Sequence, residues 1–82
     1  GERGRRLYAI QDATIACNFA MLASAALGLA TVWVGAFRDD PVRLVIEAPA
    51  GLQPVAMLPV GYAAESPART PRRPLKNLVH EV

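Results

Sequence analysis

Between Ala13 and Phe37 the chain carries no charged residue, and that run of 25 residues limits what the chain can become. It is long enough to cross a bilayer as one helix. Arg3, Arg5 and Arg6 on its amino-terminal side fit the anchors such a span needs. Against a span, Thr14, Asn18, Ser24, Gly28, Thr31 and Gly35 interrupt the run, and eight of its residues are alanine. The better parse is a helix followed by a strand. Residues 8–27 are rich in Ala, Leu, Met and Gln, which form helices readily. Gly28 suits the left-handed position just past a helix end. Ala30 to Val34 is β-branched and aromatic, the texture of a short strand.

Composition narrows the class further. With 82 residues there is room for one small domain, which would bury only about 60% of its unfolded surface. Apolar content of 52% and a net charge of +2 exclude disorder over the whole length. The charge is segregated: residues 1–6 carry +2, residues 7–68 carry −3 and residues 69–82 carry +3. A basic tail behind an acidic middle points to a local anion site or a charged end, not to a nucleic-acid surface. Cys17 is the one cysteine, so there is no internal disulfide and no cysteine-clustered metal site. Its neighbours Ala16, Asn18 and Phe19 suggest a small buried core residue. No secretory signal pattern is visible, and the expected location is cytoplasmic. The chain starts at Gly1, which reads as a fragment or a processed piece.

Along the helix, Ala16, Ala20, Ser24 and Gly28 recur every fourth residue and share a face on which another backbone can come close. A neighbouring element of the same subunit fits that face, and so does a helix pair across a dimer interface. Gln11, Thr14 and Asn18 form a polar stripe, either solvated or buried at a subunit boundary or ligand. Asp39-Asp40-Pro41 reads as a helix start, with Asp capping free N–H groups and proline at the first helical position. That helix should run from Pro41 to about Glu47, stopped by Pro49 and Gly51. Residues 54–62 form an apolar strand in which Pro59 removes one ladder donor. Residues 63–74 hold three prolines and make an extended connector. Residues 75–82 fit a last helical turn or an edge strand. This order points to an α/β or α+β layered sheet, incomplete by itself because two strands cannot cover their own faces.

No side-chain catalytic set is present. His80 stands far from Ser24 and Ser66, and there is neither a GxGxxG loop nor a phosphate-cradling GK[ST] loop. Two candidate features remain. Val34-Gly35-Ala36-Phe37 lies at a strand end, where open sheets bind ligands and where small residues let backbone N–H groups approach a flat molecule. A plain strand-to-helix turn explains the same residues. Arg72-Arg73, with Arg69 nearby, offers guanidinium groups for a phosphate. A solvated basic tail is the plainer account.

Taken in order, the pieces match a known pattern. Arg3-Gly4 and Leu7 to Asp12 lead into Ala16-x-Asn18-Phe19-x-Met21-Leu22-Ala23. Leu27 to Phe37, Pro54 to Tyr62 and Pro71-Arg72-Arg73-Pro74-Leu75 follow. This series resembles the carboxyl-terminal half of the nitroreductase family of FMN-dependent oxidoreductases, over nearly the whole chain. The resemblance implies an α+β fold: part of a mixed sheet flanked by helices, with residues 8–27 as a long dimer-interface helix. Residues 1–82 would then be the carboxyl-terminal portion of one FMN-binding domain whose amino-terminal half is absent. It further implies an intertwined homodimer, FMN at the subunit boundary, NAD(P)H as cosubstrate and a small-molecule acceptor such as a nitroaromatic or quinone. Neither nucleic acid, membrane nor metal is implied. Val34, Gly35 and Ala36 would lie against the isoalloxazine, with a backbone N–H to flavin N5. Arg72 and Arg73 would help hold the FMN phosphate. No residue would be catalytic in its own right, and the isolated chain is expected to be inactive. Ala30 and Ala64 depart from the family, which usually has glycine and often proline there. Two other classes remain open: a non-catalytic dimerisation module and a single-span membrane protein.

Overall fold

A computed structural model describes residues 1–82. The chain is helical from Glu2 to Ala26: a π-helical turn over Gly4–Tyr8 leads into α1, Ala9–Ala26. In the first turn Glu2 pairs with Arg5 and Arg6, and Arg3 donates to the Tyr8 hydroxyl at 2.8 Å. Within α1, the Thr14 and Ser24 hydroxyls bond back to the carbonyls of Ile10 and Ala20, each at 2.8 Å. That is how such side chains are satisfied inside a helix.

Gly28 ends α1 as its sequence position demands. Its φ is +79°, and the turn closes with Leu29 N–H on the Ser24 carbonyl at 2.9 Å and Gly28 N–H on the Ala25 carbonyl at 3.1 Å. These are the two bonds of a Schellman ending. The reversal lays β1, Ala30–Thr31, back against α1. β1 pairs antiparallel with β2, Val60–Gly61, in the register Ala30↔Gly61 and Thr31↔Val60. The same register continues to a bridge between Val34 and Met57, so the ribbon reaches from Ala30 to Val34 as the side-chain texture suggested.

Between the strands, α2 spans Asp39–Val45. Its start differs from expectation. The N-cap is Arg38, no side chain caps the free N–H groups, and Asp39 and Asp40 lie inside the first turn with Pro41 third. The Asp39 carboxylate instead accepts from Gln53 Nε2 at 2.7 Å, which ties the loop after α2 to its start. Two acids in the first turn still meet the positive end of the helix dipole. Proline at the third position is tolerated because that N–H has no intrahelical acceptor. α2 stops at Val45, short of Pro49, in a second Schellman ending with Glu47 at φ +54°. Residues 62–74 hold no helix or strand, and Leu75–Asn77 form a 3₁₀ turn, the helical of the two readings for the tail.

The fold is α+β: helices beside a small antiparallel sheet. It has no interior. None of the 82 residues is buried, and the exposed surface is 7496 Å². A compact chain of this mass exposes about 4,800 Å². The radius of gyration is 16.5 Å, against about 12 Å for a compact chain of this length. Cys17, expected in a core, is half-buried, because this chain packs no core around α1. Ala16 and Ala20 are exposed, so this chain does not cover the small-residue face. The polar stripe of Gln11, Thr14 and Asn18 is exposed as well. The larger apolar side chains are spread around α1, with Ile10, Ile15, Phe19 and Leu22 open. A helix apolar on several sides requires cover on several sides. No helix is long and apolar enough to cross a membrane, so the single-span reading has no support in the structure.

Candidate functional site

The site of interest begins where the ribbon stops. Val34 gives its N–H to the Met57 carbonyl and receives Met57 N–H on its own carbonyl, both at 2.9 Å. After this closed pair the ladder ends. The backbone N–H groups of Gly35, Ala36 and Phe37 have no hydrogen-bond partner in the chain. Along an antiparallel strand alternate residues turn their N–H groups to opposite sides. Val32 and Val34 bond toward the second strand, so Gly35, like Trp33, directs its N–H to the open outer edge. Gly35 and Ala36 are exposed, whereas Val34 is half-buried. The result is a fixed strand end followed by unpaired donors, the first two of them on residues too small to shield them. Such donors suit the acceptor atoms of a flat heteroaromatic molecule.

The second pair of expected residues is arranged differently. Arg72 turns one guanidinium nitrogen onto its own backbone, donating to the carbonyls of Thr70 at 3.1 Å and Pro71 at 3.3 Å. Arg73 makes no hydrogen bond or ion pair, and both side chains are exposed. Nothing bonds this pair to residues 34–36, so the chain by itself does not join a phosphate grip to the unpaired N–H groups.

Two depressions lie elsewhere. One, of about 550 Å³, is lined by Val32, Pro59, Tyr62, Ala64 and Pro67 beneath the ribbon. The other, of about 870 Å³, lies between the start of α1 and residues 51–55, with Arg5, Arg6, Ile10, Leu52 and Val55 around it. Neither includes the expected site residues. No cluster of metal-ligating side chains is present.

One neighbour of the site escaped the sequence reading. The Trp33 indole lies over Gly35, its Nε1 3.3 Å from where a Cβ on Gly35 would stand. Strand alternation places residues 33 and 35 on the same face, and that was the signal available in the sequence.

The sequence model of the nitroreductase family matches residues 1–62, three quarters of the chain, with the whole helix–ribbon unit inside the match. The chain belongs to the nitroreductase family. Among curated relatives it is similar to the FMN reductase [NAD(P)H] of Bacillus subtilis. The two are 38% identical over 72 residues, covering 85% of this chain and 29% of that protein. It is also similar to a Methanothermobacter thermautotrophicus protein provisionally named NADH dehydrogenase/NAD(P)H nitroreductase. There the identity is 36% over 62 residues, 71% of this chain and 32% of that protein. The chain thus spans about a third of the length of these nitroreductase relatives. Val34, Gly35 and Ala36 fall inside the region the family model matches, whereas Arg72 and Arg73 fall outside it.

Proposed function

We propose that this chain is the carboxyl-terminal portion of an FMN-dependent NAD(P)H oxidoreductase, completed by a second copy and by the longer amino-terminal part of the domain. The reading is supported by family membership and by the names of the two relatives. The observation that carries it is the pair of unpaired N–H groups at Gly35 and Ala36, held at the end of a hydrogen-bonded ribbon. Bound there, FMN would supply hydride transfer from NAD(P)H to an oxidised acceptor such as a nitroaromatic or a quinone. The residues of this chain would orient it. Val34 is clamped to Met57, so the following peptide cannot swing, and Gly35 offers its N–H along the open edge to an acceptor nitrogen such as flavin N5. Arg72 and Arg73 would contribute charge for the phosphate once covering polypeptide brings the tail in. Arg73 carries no competing partner, and Arg72 has to give up only contacts with its own backbone.

A competing reading is a dimerisation module without catalysis, favoured by the exposed Ala16–Ala20 face of α1. The test is a titration with FMN, followed by quenching of flavin fluorescence. It is run on the chain alone and on the chain mixed with the amino-terminal part of the B. subtilis relative. Tight binding in the mixture, with bleaching of the flavin on addition of NAD(P)H, is the expected result. A defined dimer that leaves FMN fluorescence unchanged in both samples would select the dimerisation module.

A further inference from the structure

Gly35 invites two explanations, and the structure separates them. Glycine is demanded where φ is left-handed or where something lies against the Cβ position. Gly35 is not among the glycines with positive φ; those are Gly28 and Gly51. Its φ therefore does not demand glycine. What stands against its Cβ position is Trp33, with Nε1 at 3.3 Å and Cδ1 at 3.9 Å, and nothing else within 4 Å. A methyl group there would require the indole to give way by a few tenths of an ångström.

We propose that Trp33 is the positioning residue of this site. By filling the Cβ side of Gly35 it fixes which edge of the Val34–Ala36 backbone a ligand can reach. The inference rests on the flavin reading above and adds to it the reason Gly35 is glycine. The indole lies against one face of Gly35 and leaves open the edge where Gly35 directs its unpaired N–H, along which a cofactor would be received. Two further facts fit. Trp33 is 38% exposed, only partly covered by its own chain. Its Nε1–H has no acceptor within the chain and is free to meet one on a ligand or covering polypeptide. If the ligand itself needed the space at Gly35, the effect of a methyl group there would not depend on residue 33. If Trp33 occupies that space, it would.

The experiment is a double-mutant cycle of Gly35→Ala and Trp33→Ala in the full chain, with two readouts. The first needs no ligand. The chain has a single tryptophan, so its indole N–H gives one resonance in a nitrogen–proton correlation spectrum. Gly35→Ala should move that resonance. The second is FMN affinity in the mixture described above. Gly35→Ala should weaken it about tenfold or more, the scale of inserting a methyl group into an occupied site. The same substitution on the Trp33→Ala background should cost less than about twofold. An unmoved resonance, or an equal loss on both backgrounds, overturns the proposal and leaves the flavin reading standing. If the unsubstituted mixture binds no FMN, the flavin reading falls and the positioning role falls with it. The resonance then still decides whether Trp33 occupies the space beside Gly35.

Discussion

Val32 donates its N–H to the Pro59 carbonyl at 3.4 Å and receives nothing in return, because proline has no N–H to give. The two residues face each other at a hydrogen-bonded position of the ladder, so half of the pair is missing in the middle of the ribbon. The flanking pairs are complete, which is why strand structure shows at Ala30–Thr31 and again at Val34, with a gap between. Replacing Pro59 by alanine should restore the bond from residue 59 to the Val32 carbonyl. A new amide protected from hydrogen exchange is expected at position 59. Stability should change by less than about 1 kcal/mol, since the gained bond is offset by a more flexible unfolded chain. A rapidly exchanging amide at 59 would show that the strands are not held in this register.

Gly28 sits at φ +79° with open space around its Cβ position, so only backbone conformation opposes a side chain there. Gly28→Ala should cost about 1–2 kcal/mol, the penalty of left-handed geometry for an L-residue. In the complemented protein this should lower the melting temperature and fray the last turn of α1 in circular dichroism. An unchanged melting curve would mean that the Schellman ending is not formed.

Glu47 occupies the equivalent position after α2 at φ +54°, with Ala48 N–H on the Arg43 carbonyl at 2.9 Å. Here the residue is strained and glycine would not be. Glu47→Gly should stabilise the protein by up to about 1 kcal/mol, the relieved strain less the extra freedom of glycine in the unfolded chain. Chemical denaturation checks it, and a destabilised variant would show that the Glu47 side chain makes a contact in the assembled protein.

Because no residue is buried, the isolated chain should unfold without a sharp cooperative transition. The excess of roughly 2,700 Å² over a compact chain is surface that covering polypeptide should remove. Calorimetry of the chain alone should give no resolved heat peak. Mixing it with the amino-terminal part of a relative should produce one. A sharp transition from the chain alone would mean that it packs a core this structure lacks.

Arg72→Gln and Arg73→Gln should each weaken FMN binding several-fold in the mixture and flatten its dependence on salt, without changing helix content. Equal affinity of riboflavin for the parent and both variants, with FMN alone affected, would localise the effect to the phosphate. Undiminished FMN binding by both variants would return the pair to a solvated tail.

Sequence alone determined the local architecture and the family. The boundary at Gly28 was legible because only one backbone conformation ends that helix cheaply, and glycine advertises it. The ribbon was legible from the β-branched run at 30–34, and its weak point from the missing N–H of Pro59. Local chemistry misled at Asp39, since a caps-first reading could not see Gln53, 14 residues on, claiming the carboxylate. It misled at Cys17 because the neighbours Ala16, Asn18 and Phe19 imply a core only if other polypeptide packs against them. Val34–Ala36 was legible as a strand end, yet its unpaired donors were not, because which N–H groups remain free depends on where Met57 lies. The contact between Trp33 and Gly35 also awaited the fold, since alternation puts two residues on one face without saying which way an indole turns. Tertiary structure decided these matters because hydrogen-bond partnership and side-chain contact are properties of pairs brought together in space, while propensity belongs to one residue and its neighbours.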